Sequence, residues 1–192
     1  MKQENKLSDL PQKAEIYNRY PLSSIFIYNG TTTLHYILGA GGIILGYNFF
    51  PHAGYMICIP YLLFSFSTMY VLMPLRVCPN CPYYKMKDSR CISGMNIFSR
   101  KIASEGSTKN FPNRAKGVFC DNNLYMASLI FPIIFMLPML FINFSIPLLG
   151  IFLALISLLI YRVFIIFPKI ACLHCAAKFK CPQAETMGVR DL

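Results

Sequence analysis

Residues 123–168 read NLYMASLIFPIIFMLPMLFINFSIPLLGIFLALISLLIYRVFIIFP, and Arg162 is the one charged side chain among them. A helix rising about 1.5 Å per residue needs ~20 apolar residues to cross ~30 Å of hydrocarbon. The run is long enough for two passes. It divides near Ser145, giving one span from about Asn123 to Phe144 and another from about Ile146 to Pro168. The same pattern stands earlier in the chain. A first span runs from about Thr31 to Phe50 and a second from about Gly54 to Leu75, joined by Pro51, His52 and Ala53. Backbone groups cannot stay unpaired in lipid, so each span is expected to be a helix. The expected fold is all-α: an integral membrane four-helix bundle of two helical hairpins. The composition agrees, with 55% hydrophobic residues against the 45–50% usual in soluble domains.

Charge orients the bundle. The two tight links contain no Lys or Arg, whereas the remaining segments contain nearly all of them. The N-terminal arm (1–30) has Lys2, Lys6, Lys13 and Arg19. The loop at 76–122 has Arg76, Lys85, Lys87, Arg90, Arg100, Lys101, Lys109, Arg114 and Lys116. The tail (169–192) has Lys169, Lys178, Lys180 and Arg190. The positive-inside rule then predicts both termini and both loops in the cytosol, flanking membrane hairpins at 31–75 and 123–168. The same rule accounts for the net charge of +10, so no nucleic-acid partner is expected. The first residues, MKQENKLSDLPQKAEIYNRY, lack the apolar core of a cleavable signal.

Each hairpin ends in a similar motif: MPLRVCPNCP at 73–82 and FPKIACLHCA at 167–176. In both, Pro stands four residues before the first cysteine of a C-x2-C, with a basic residue between. A third cysteine follows, Cys91 in one and Cys181 in the other. The chain reads as two parallel copies of one unit, which brings the cysteine hairpins together at one surface.

Six cysteines belong to these hairpins: Cys78, Cys81, Cys91, Cys172, Cys175 and Cys181. Cys120, just before the third span, is a further candidate metal ligand beside them, and Cys58 lies alone in the second. The cytosol keeps thiols reduced, so recurring C-x2-C points to metal. Neighbouring Lys and Arg are expected to lower the thiol pKa values. Two such turns meeting in space suit tetrahedral zinc or an iron–sulfur cluster. Cys-Pro-Asn-Cys resembles a zinc-knuckle or rubredoxin-type turn. C-x2-C-x5-C followed by Pro182 is similar in spacing to part of the iron–sulfur loop of endonuclease III-type glycosylases, over ten residues and not in fold. His174 is either a further ligand or a solvent-facing side chain. Membrane bundles with cysteine pairs also resemble quinone-linked thiol oxidoreductases of the vitamin K epoxide reductase type, although that chemistry usually faces the oxidising side.

Within the spans, His35 and Arg162 are the pair that could hold a quinone headgroup or a lipid phosphate. The plainer expectation is an interfacial histidine and an arginine snorkelling to the headgroups. The spans contain no Asp or Glu, which argues against ion-coupled transport. One histidine within the spans is too few for bis-His haem. Gly42 and Gly46 form a GxxxG that is expected to serve packing within the bundle. The basic segment 97–122 suits anionic lipid or an acidic protein partner. The resulting expectation is a metal-binding membrane protein. It is either an electron-transfer anchor with an iron–sulfur centre or a zinc-clamped adaptor that recruits a cytosolic partner.

Overall fold

The computed structural model describes residues 14–50 and 52–191. Lys2, Lys6, Lys13 and Pro51 lie outside them. The described residues form helices and no β-strand. Three helices are long and apolar enough to cross a membrane: Ala53–Asn80, Asp121–Ile142 and Ile146–Cys172. Their outward side chains are large and apolar. Phe141 is 83% exposed, Ile146 79% and Met56 74%, a surface that water does not favour over so wide an area.

The helix α1 (Leu22–Gly46) begins well before Thr31 and falls outside that set of three. It buries Thr32, His35, Tyr36, Gly39 and Gly42. Its polar groups thus turn inward, and it packs against α2 (Ala53–Ser67), α5 (Asp121–Ile142) and α6 (Ile146–Tyr161). Close approach sets this packing. A Cβ at Gly39 would stand 2.8 Å from the Cβ of Pro132, and one at Gly46 3.0 Å from the Cβ of Met139, whereas Gly41 faces open space. Gly39, Gly42 and Gly46 are therefore the small residues that admit the facing helices, the role expected of the GxxxG.

Helix starts follow local chemistry. Ser145 caps α6 by accepting from the Leu148 N–H, and Pro147 follows in the first turn, where its missing N–H costs nothing. Cys120 caps α5 in the same way, its sulfur accepting from the Asn123 N–H.

The ends are less regular. α2 continues into a π-helical stretch, Thr68–Val77, and α6 into another, Arg162–Cys172. Each contains the proline of its repeat, Pro74 or Pro168. A proline withdraws one backbone donor and crowds the preceding turn, and widening to π geometry accommodates both effects. Both units thus reach their first cysteine through the same irregular turn. The intervening segment carries α3 (Pro82–Lys85) and α4 (Met95–Ile102), and the tail carries α7 (Pro182–Thr186).

Candidate metal centre

The two hairpins meet. Cys78, Cys81 and Cys91 from the first and Cys172, Cys175 and Cys181 from the second line one cavity of about 150 Å³. Beneath them Val77, Phe111, Ala177, Cys181, Ala184 and Val189 form a small apolar core shared by both hairpins. The other two cysteines lie elsewhere. Cys120 caps α5, and Cys58 is buried among the long helices. Among the described residues, no three His, Cys, Asp or Glu side chains converge tightly enough to grip a single ion. The thiols stand around a space rather than on a point.

The residues before α1 strap the hairpins to each other. The Tyr17 N–H donates to the His174 carbonyl at 2.9 Å, and the Tyr83 hydroxyl donates to the Tyr17 carbonyl at 2.5 Å. The Tyr20 hydroxyl donates to the Ala171 carbonyl at 2.5 Å, and its N–H donates to the Arg90 carbonyl at 2.9 Å. His174 belongs to this strap. Its ring stacks on Tyr17 at 4.3 Å, and Nδ1 bonds the Glu15 carbonyl at 2.8 Å. It does not line the cavity.

Helix α4 fixes the first hairpin. The Asn96 amide oxygen accepts from the Cys91 N–H at 3.1 Å, and its NH₂ donates to the Ser89 carbonyl at 3.0 Å. The Ser99 hydroxyl donates to the Pro74 carbonyl at 2.6 Å. Arg100 donates to the carbonyls of Tyr83, Tyr84 and Met86 and to the Ser89 hydroxyl. In the second hairpin Lys178 is buried and donates to the Leu173 carbonyl at 3.0 Å. Sequence reading did not single out Asn96, Ser99 and Arg100. Their i, i+3, i+4 spacing puts them on one face of a helix, and that was the available signal.

The cavity wall is mostly apolar or aromatic. Arg114 is the one charged side chain on it among the described residues. This overturns the expectation of thiols activated by basic neighbours. Lys85, Lys87, Lys169 and Lys180 are exposed. Burial dominates instead, because it disfavours the charged thiolate. It raises the Cys81 thiol well above its ordinary value, and the nearby Cys175 adds to the rise. It pushes Cys175 up to about 12, with Cys172, Cys181 and Cys91 adding to the rise.

Cys175 holds its proton more tightly folded than at the ordinary 9.0. The stability this supplies is complete below that value and is lost as pH rises toward the folded value. Metal-free protein is expected to lose thermal stability progressively between about pH 9 and pH 12. Metal-loaded protein, whose thiols have already given up their protons, should hold its midpoint across that window. Thermal unfolding of the two forms against pH is the measurement, and parallel curves would refute the assignment.

No protein-family model, curated protein or solved structure matches the chain. The site must therefore be read from its own geometry.

The second candidate pair behaves differently from expectation. Arg162 does not snorkel; it is fully buried. Its guanidinium donates to the Tyr28 carbonyl at 3.1 Å, to the Thr31 hydroxyl at 2.7 Å and to the Tyr125 hydroxyl. The rings of Tyr28, Phe167 and Tyr125 surround it at 5.1, 5.4 and 5.9 Å. His35 is also buried, with Nε2 2.8 Å from the Leu129 carbonyl and Nδ1 without a hydrogen-bond partner among the described residues. Neither side chain lines the cysteine cavity.

Proposed function

We propose that this chain is an integral membrane protein whose cysteine hairpins hold an iron–sulfur centre, and that it serves as a redox anchor passing electrons to a membrane or cytosolic partner. The reading has four helices crossing the bilayer, with both termini and both hairpins in the cytosol. The charge asymmetry and the inward-turned polar face of α1 support that topology. The observation that carries the cofactor reading is the contribution of three thiols from each hairpin to one cavity. Four thiolates ligate a common iron–sulfur cluster, and a cluster fills a space where a lone ion would occupy a point. Cys78, Cys81, Cys91, Cys172, Cys175 and Cys181 are the ligand pool. Bound there, the cluster would supply one-electron transfer.

Thiol–disulfide exchange fits less well. That chemistry belongs to an oxidising compartment, and in this reading the charge asymmetry sets the thiols on the cytosolic side. A quinone or an acidic redox protein is the partner class that suits a basic membrane anchor.

The test is metal and sulfide analysis of anaerobically purified full-length protein, with a visible spectrum. Iron and inorganic sulfide in equal amounts, with absorption that bleaches on reduction, is the expected result. A colourless chain with stoichiometric zinc would replace this reading by that of a zinc-clamped adaptor.

A further inference from the structure

Arg162 is a buried charge without an obvious opposite. It is 0% exposed. Among the described residues no carboxylate pairs with it; the ion pairs are Arg76–Asp121, Lys85–Glu105 and Arg190–Glu185. Its hydrogen bonds go to neutral oxygens, and Nε has no partner among the described residues. Burying a cation is costly, and hydrogen bonds to neutral oxygens and aromatic faces offset that cost without cancelling the charge. Something else must balance it.

The surroundings supply a candidate. Tyr28, Tyr125 and Phe167, the three rings around the guanidinium, also line the cysteine cavity. Arg162 thus shares its aromatic cage with the wall of the thiol cavity. No carboxylate lines that cavity among the described residues, and Arg114 adds a second guanidinium. Such a space is built for a guest of net negative charge. A metal–thiolate centre is one.

We propose that Arg162 is the fixed counter-ion of that centre and holds its reduction potential up. This rests on the iron–sulfur reading above. On reduction, one electron enters from a one-electron donor such as a redox protein. The centre becomes more negative, no bond to Arg162 forms or breaks, and the guanidinium keeps its proton. A nearby positive charge favours the more negative state, so net charge sets potential. Arg162 touches no thiol and is a positioning residue that acts through charge.

The experiment is a dye-mediated redox titration of the full chain in lipid nanodiscs, followed by visible absorption, with iron and sulfide measured in each sample. Arg162→Gln removes the charge. Thr31→Asp leaves Arg162 in place and sets a carboxylate against it, which guards against misfolding of the first variant. Arg162→Lys keeps the charge. The expected result is a lowered potential in Arg162→Gln and Thr31→Asp and a near-wild-type value in Arg162→Lys. Iron-loaded Arg162→Gln or Thr31→Asp titrating at the wild-type potential would overturn the proposal. So would an Arg162→Lys shift equal to that of Arg162→Gln. A wild-type chain carrying zinc or no metal fails earlier, on the iron–sulfur reading itself, and the two failures are thus told apart.

Discussion

Replacing Cys175 with serine in the full chain is expected to empty the whole of the proposed centre rather than halve it. Cys175 and Cys81 come from opposite hairpins, yet Cys175 is close enough for its charge to raise the Cys81 thiol. Cys91 and Cys78 also act on Cys81, and Cys172 and Cys181 on Cys175. All six thiols line the one cavity. Serine keeps the size of cysteine but offers a hard oxygen in place of a soft thiolate. Losing a partner of a metal ligand commonly costs about 10–100-fold in affinity, and losing a ligand itself costs more. Iron content by mass spectrometry of Cys175→Ser and Cys81→Ser should fall more than tenfold. Cys58→Ser and Cys120→Ser, whose thiols lie away from the cavity, should load as wild type. Loss of half the iron would mean two separate sites and would end the shared-cavity reading. Full iron in Cys175→Ser would remove the second hairpin from the ligand set.

Much of this was legible in the sequence. The three helices apolar enough to cross a membrane match spans read from unbroken hydrophobic runs, because burial in lipid imposes composition directly. The repeat was visible in Pro74–Cys78 and Pro168–Cys172, and its consequence, hairpins sharing one cavity, is observed. Other features depend on what touches what. The start of α1 at Leu22 was hidden because Asn29, Gly30 and three threonines at 31–33 interrupt the apolar run between Leu22 and Leu34. The π-helical stretches were hidden because a proline in a span signals a kink without saying how the turn relaxes. Arg162 looked like a snorkelling side chain because its partners, Tyr28, Thr31 and Tyr125, are distant in sequence. The thiol pKa values were misjudged for a related reason. Lys85 and Lys87 follow the first C-x2-C closely but point outward, so sequence proximity overstated their influence on Cys81.

Arg100→Ala should loosen the first hairpin and weaken the proposed metal centre with it. Three carbonyls between Tyr83 and Met86, and the Ser89 hydroxyl, all accept from one guanidinium. Tyr83 and Ser89 are buried, 1% and 3% exposed, so water cannot readily replace the lost donor. The Tyr83 carbonyl keeps its bonds from the Ser89 hydroxyl and the Asn96 amide, and the Met86 carbonyl its bond from the Ser89 N–H, so the loss falls on the Tyr84 carbonyl, at about 1–3 kcal/mol of the roughly 5–15 kcal/mol that holds a domain folded. The turn at stake runs from Cys81 to Cys91, and the Asn96 bond to the Cys91 N–H depends on the same packing. Lysine keeps the charge but lacks the planar fork that serves several carbonyls at once. Arg100→Lys is therefore expected to restore little. Limited trypsin digestion should cut at Lys85 and Lys87 far faster in Arg100→Ala than in wild type, and iron content should fall in parallel. The long helices, which Arg100 does not touch, should keep their helical circular dichroism. An Arg100→Ala chain that resists trypsin and loads fully would show that the strap from Tyr17 to Tyr20 alone suffices to hold the cysteines in place.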